Sequence, residues 1–123
     1  MLNSRQRLGK NGEEIVARYL KNKGYTILIE NYRCKLGEID IIARDGPVLV
    51  FIEVKTRSGL GYGSPAASVN PRKQKQISRA AQWYLAERQL FDSPARFDVV
   101  SVLCSDTHCR RIDHISNAFD LCE

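Results

Sequence analysis

The 123-residue chain is expected to fold as an α/β protein, a mixed β-sheet flanked by helices, on three observations. Apolar residues at helical spacing open the chain. Three β-rich runs then follow in close succession, two of them joined by a short turn. A second helical stretch separates these runs from a fourth β-rich run, so that strand can lie parallel to a neighbour.

Taken in order, Gly12 to Lys23 reads as a helix, with Val16, Ala17 and Leu20 on one face and Gly24 as the stop. Arg5, Arg7 and Lys10 precede it. Tyr25 to Arg33 is rich in β-branched and aromatic residues and reads as a strand. Glu38 to Arg44 reads as a second strand. Asp45-Gly46 is a hairpin turn closed by Pro47, and Val48 to Thr56 is a third strand. These three form an antiparallel meander. Arg57 to Asn70 is a Gly- and Ser-rich loop, long enough to suggest a functional role. A helix starts near Pro71, carries Ile77, Ala80, Ala81 and Tyr84 on one face, and ends before Asp92. Trp83 is read as core together with Tyr84. Phe97 to Leu103 is a fourth strand, Ser105 to Arg110 a turn, and Arg111 to Ile115 an edge strand. The length fits a single domain over residues 1–123.

A hydrophobic share of 43% and a charged share of 27% are those of an ordinary soluble globular protein. No apolar run approaches the roughly 20 residues of a membrane span. The first residues lack the apolar core of a secretory signal, so the expected location is cytoplasmic, with no membrane partner. Cys34, Cys104, Cys109 and Cys122 include no C-x-x-C pair and read as free thiols. Cys104, His108 and Cys109 match no common zinc spacing and read as a polar loop. The formal charge is +5, and Arg72, Lys73, Lys75 and Arg79 crowd one stretch suited to phosphates.

The chemistry shows as a conflict in the third strand. Val48, Val50, Ile52 and Val54 point one way, and Leu49, Phe51, Glu53 and Lys55 the other. Both faces begin apolar, so Glu53 and Lys55 end a buried face, which is costly unless they pair with each other or with an ion. On the second strand Ile39, Ile41 and Ala43 face one side, and Glu38, Asp40 and Ile42 the other. Counting outward from the turn puts Asp40 opposite Ile52 or Glu53. Glu13 shares the inward helix face of Val16, Ala17 and Leu20, whereas Glu14 aligns with the polar face. Three acids beside one lysine suit Mg2+ or Mn2+, ligated by Asp40, Glu53 and the Val54 carbonyl. Lys55 then orients an attacking water and meets charge building on a phosphate, the layout of phosphodiester hydrolysis. Lys73 is read as either a projection toward this site or a plain basic helix start. Asp98 is read as either a support for the site or an acceptor of backbone hydrogen bonds.

Asp40 with Glu53-Val54-Lys55 thirteen residues on resembles the signature of the PD-(D/E)XK nuclease superfamily. Gly12-Glu13, Asn31-Tyr32-Arg33, Gly37-Glu38-Ile39-Asp40 and the run from Phe51 to Arg57 resemble the YraN-like family of small bacterial proteins. That resemblance continues through Lys73, Ala80-Ala81 and Phe97-Asp98-Val99-Val100. It implies a restriction-endonuclease-like core similar to archaeal Holliday junction resolvases. It marks Asp40 and Glu53 as metal ligands, Lys55 as the catalytic lysine and Glu13 as the accessory acid. Residue 39 is Ile where the superfamily signature has proline. Resolvases act as dimers, so a homodimer is an expectation of the resemblance alone.

The expected function is a metal-dependent endonuclease acting on DNA rather than RNA, structure-specific and serving repair or recombination. Arg57, Tyr62, Arg72, Lys73 and Lys75 are its candidate nucleic-acid contacts. The alternative is a non-catalytic nucleic-acid-binding accessory that retains the nuclease fold, or a scaffold whose acids form only an ion-pair network.

Overall fold

A computed structural model of the protein describes residues 4–58, 69–104 and 109–122. The elements are α1 (Ser4–Asn22), β1 (Thr26–Cys34), β2 (Gly37–Asp45), β3 (Val48–Ser58), α2 (Pro71–Arg88), β4 (Ala95–Cys104) and β5 (Cys109–Phe119). The five strands form one sheet in the order β1-β2-β3-β4-β5, antiparallel except for the β3–β4 pair. The expected meander and parallel crossover are both present.

Each face of the sheet is covered by one helix. Val16, Ala17 and Leu20 of α1 pack on Ile41, Ala43, Val50, Ile52, Val54, Val100 and Val102. Ile77, Ala80, Ala81 and Tyr84 of α2 pack on Tyr32, Ile42, Leu49, Phe51, Phe97 and Val99. This is why β3 is apolar on both sides: it is central and has a helix over each face. Among the described residues no helix is long and apolar enough to cross a membrane.

Several boundaries differ from expectation, each for a physical reason. Helix α1 begins at Ser4 rather than Gly12, so Arg5, Arg7 and Lys10 belong to the helix and do not precede it. Gly12 lies inside α1 because a Cβ there would collide with the Thr56 hydroxyl on β3. A glycine at a close backbone approach reads in sequence like a helix boundary. The β2–β3 turn is Gly46-Pro47, with Asp45 still paired to Val48. Helix α2 starts as expected, its Asn70 cap accepting from the Lys73 N–H at 2.9 Å, and ends at Arg88 with Gln89 in the left-handed region. Trp83 is 38% exposed, so it is not core: the buried stripe of α2 passes beside it through Ala80, Ala81 and Tyr84. Strand β5 is the expected edge strand but runs on to Phe119, whose ring stacks on Phe97 at 4.9 Å. Residues 59–68 of the expected glycine-rich loop, Tyr62 among them, and residues 105–108 of the expected Ser105–Arg110 turn lie outside the described residues.

Candidate functional site

The site forms where β2 and β3 part. Their ladder runs from Asp45↔Val48 to Ile41↔Ile52 and stops there. Continuing that register would place Ile39 opposite Val54. Instead the Asp40 carboxylate takes the Val54 N–H, with Oδ2 2.8 Å from the nitrogen. A side-chain oxygen thus replaces a backbone carbonyl as the acceptor, and the strands open beyond it. In a strand the N–H and C=O of one residue point the same way, so the Val54 carbonyl also faces this opening.

The strict alternation expected of β2 fails at the same point. Ile41 and Ala43 pack under α1, but Ile39 joins Ile42 under α2, the opposite side from the one expected. On the neighbouring strand Asn31, between the pairs Glu30↔Ile41 and Tyr32↔Ile39, has φ 57. A left-handed residue inside a strand turns the following side chains, and asparagine tolerates that conformation better than most residues. Asn31 also donates a side-chain hydrogen bond to Glu13. Sequence reasoning missed this role. The available signal was an asparagine in the middle of a β-rich run.

Of the acids expected to converge, Asp40 bears on both Glu53 and Glu13, but among the described residues the three do not form one metal-binding group. Glu53 is only 6% exposed, on the α2 face below Phe51. Burial pushes its carboxyl up to about 7, helped by the negative charge of Asp40 and opposed by Lys73 and Lys55. Burial likewise raises Asp40, against the Val54 N–H and Lys73, with Glu38 adding to the rise and Lys55 opposing it. Glu13 of α1 is half-buried and also raised, first by burial and then by Asp40, while Asn31 opposes. Glu14 is exposed, as its polar-face position implies. For each of the three acids burial is the largest influence, and it disfavours the charged form.

Lys73 settles one open alternative: it reaches in from α2, with Nζ 4.0 Å from Glu53 Oε1. Lys55 is half-buried, and its charge bears on both carboxylates. Arg57 is half-buried further along β3, while Arg72 and Lys75 are exposed on α2. Tyr62 lies outside the described residues, as do His108 and the side chains of Cys104 and Cys109.

Asp98 does not join this group. It is fully buried, and accepts from Arg96 Nε at 3.0 Å and from the Asn117 N–H at 2.9 Å. Its other oxygen lies 2.7 Å from His114 Nε2. Arg96 also donates to Tyr25 Oη at 2.6 Å and to Asp45 at 3.1 Å, and His114 Nδ1 lies 3.1 Å from the Tyr19 hydroxyl. Burial alone would raise Asp98, but His114, Asn117 and Arg96 outweigh it and hold the carboxyl below the usual range.

The donor set suits a hard cation in one respect and limits it in another. The buried Glu53 and the half-buried Asp40, whose charge raises the Glu53 pKa, stand beside an outward carbonyl as oxygen donors whose repulsion a divalent cation would relieve. Among the described residues no three His, Cys, Asp or Glu side chains stand close enough to hold a metal alone. A cation here would draw the rest of its shell from Val54, water and a phosphate, as magnesium commonly does.

Comparison with known proteins adds the family. A UPF0102 protein of Geotalea uraniireducens (strain Rf4) is 54% identical over 114 residues, spanning 93% of this chain and 90% of its own. A UPF0102 protein of Geobacter sulfurreducens (strain ATCC 51573 / DSM 12127 / PCA) is 49% identical over 114 residues, spanning 93% and 89%. One of Nocardia farcinica (strain IFM 10152) is 47% identical over 115 residues, spanning 94% and 91%. The model of uncharacterised protein family UPF0102 matches residues 12–102, from the glycine packed on Thr56 through both acid-bearing strands and into β4. On this match, and on relatives aligned along nearly their whole length, the chain belongs to the UPF0102 family, the YraN-like family its motifs resemble.

Proposed function

We propose that the protein is a metal-dependent nuclease that hydrolyses phosphodiester bonds in DNA, a single nuclease-like domain of the PD-(D/E)XK type working in the cytoplasm. One observation carries the reading: the half-buried Asp40 of β2 and the buried Glu53 of β3 stand together where these two strands part, with their charges in conflict. A structural ion-pair network would hold its acids' pKa values down, as around Asp98, whereas Lys73 and Lys55 leave both of these carboxyls raised.

In this reading Asp40, Glu53 and the Val54 carbonyl hold Mg2+ or Mn2+, which supplies Lewis-acid polarisation of a phosphate when bound. Lys55 orients the attacking water and meets negative charge developing on the phosphate oxygens. Lys73 stands on the α2 side of Glu53 and balances its charge. Glu13 reaches the site from α1, where a carboxyl of raised pKa can accept or return a proton. Arg57, Arg72, Lys75 and Tyr62 extend the contact surface for the strand. A homodimer would bring two such sites to two strands of a branched DNA.

Calorimetric titration with Mn2+ and Mg2+, followed by incubation with branched and linear DNA, tests the proposal. The expected result is binding and cleavage by the wild type, with both lost in Asp40→Ala and Glu53→Ala. Cleavage surviving both substitutions rejects the site. The absence of a three-ligand cluster among the described residues favours one alternative, a DNA-binding accessory without catalysis. Salt-sensitive DNA binding that needs no metal and never yields a nick would establish it.

A further inference from the structure

Resting on that nuclease reading, we infer that the cleft between the β1–β2 turn and the start of α2 binds the phosphodiester backbone of the strand entering the site. The cleft has a volume of about 430 Å3, and its lining includes Arg33, Lys35, Leu36, Glu38, Lys73 and Gln76. Three cations face one carboxylate there. That carboxylate, Glu38, pairs with Arg33 at 3.5 Å, but the two side chains are 55% and 78% exposed. An exposed pair of this kind is weak, and its guanidinium is readily exchanged onto a phosphate, which it can hold with two parallel hydrogen bonds. Lys35 has no ion-pair partner among the described residues.

Lys73 joins the cleft to the carboxylates, since it lines the one and stands 4.0 Å from Glu53 in the other. The turn is built to lie close to α2. A Cβ on Gly37 would sit 3.0 Å from the Gln76 carbonyl oxygen, so glycine lets Lys35-Leu36 approach the helix. The electrostatics require such a surface. Asp40, Glu53, Glu13 and Glu38 together repel a polyanion, so the strand needs cations beside the acids to hold it in place. Leu36, 45% exposed at the tip of the turn, gives the sugar or base face an apolar surface.

The test measures binding of fluorescent single-stranded DNA, and of RNA of the same sequence, to the full chain in EDTA between about 50 and 200 mM salt. Wild type is compared with Arg33→Ala/Lys35→Ala and with a charge-matched control, Arg18→Ala/Lys21→Ala, on exposed positions of α1. For the cleft variant the slope of log K against log salt should fall by about 1.4, two contacts at about 0.7 each. The control should keep the wild-type slope. A separate cleavage assay of the wild type distinguishes the two layers of the argument. A reduced slope with no cleavage keeps the cleft and removes the nuclease. Cleavage with an unchanged slope, or an equal drop in the control, overturns the cleft alone. No binding of either strand overturns it as well. The DNA and RNA arms identify which backbone is held.

Discussion

Two polar clusters among the described residues are built on opposite rules. Around Asp98 every charge meets its complement: Arg96, His114 and the Asn117 N–H surround a fully buried carboxylate and hold its pKa down. Around Asp40 and Glu53 burial and like charges push the carboxyls up, and Lys73 and Lys55 compensate only in part. Matched buried charges stabilise the particular fold that matches them. Mismatched ones persist only where something outside the chain completes them. The difference separates the cluster that holds β4 and β5 together from the one for which a cation and a phosphate are proposed. Helix α1 touches both, with Glu13 at one cluster and the Tyr19 hydroxyl 3.1 Å from His114 at the other.

The comparison breaks most sharply at Asp98. Asp98→Ala leaves Arg96 and His114 facing an empty buried position and should cost about 3–5 kcal/mol in urea denaturation. If it costs less than about 1 kcal/mol, the matched cluster is not structural. Next is Gly12→Ala, which forces α1 away from Thr56 and should cost about 1–3 kcal/mol, while also weakening Mn2+ binding through displacement of Glu13. Glu53→Gln should do the reverse in metal-free protein, raising stability by about 1 kcal/mol at pH 8 while removing activity. A loss of stability there would reassign Glu53 to structure.

The pH dependences should have opposite signs. Asp98 is depressed, so its contribution is present above the ordinary aspartate pKa and is lost as pH falls through its folded value. Glu53 is raised from 4.5 to about 7, so its contribution is complete below 4.5 and is lost as pH rises through about 7. Denaturation curves of Asp98→Asn and Glu53→Gln across that range should lose the acid limb and the neutral limb respectively. The smallest effect expected is that of Tyr19→Phe, about 0.5–1 kcal/mol for one part-buried hydrogen bond, with metal binding unchanged.

Most of the sheet was legible in the sequence, because its patterns follow from local rules. The two-sided apolar β3, the tight β2–β3 turn and the Ile77–Tyr84 stripe of α2 read directly, and so did the meeting of Asp40 with Glu53. What stayed hidden depends on contacts between distant segments. Gly12 read as a helix start because the Thr56 side chain that requires it lies 44 positions away. The reversal of Ile39 follows the left-handed turn at Asn31 on another strand, which no alternation rule reports. The direction of Lys73 depends on α2 lying over the sheet, which the sequence of the helix does not encode. The Arg96–Asp98–His114 cluster joins β4 to β5, and only Asp98 among its members stands out in the sequence.

The bond from the Val54 N–H to Asp40 gives the protein a built-in probe. The amide proton of Val54 senses the electron density on that carboxylate oxygen, so its NMR resonance reads the charge on Asp40. An ion drawing density from Asp40 would shift this proton, and so would protonation. Exchange of the same proton with solvent would register any loosening between β2 and β3. A single backbone signal thus follows occupancy, ionisation and opening at the place where the two strands part.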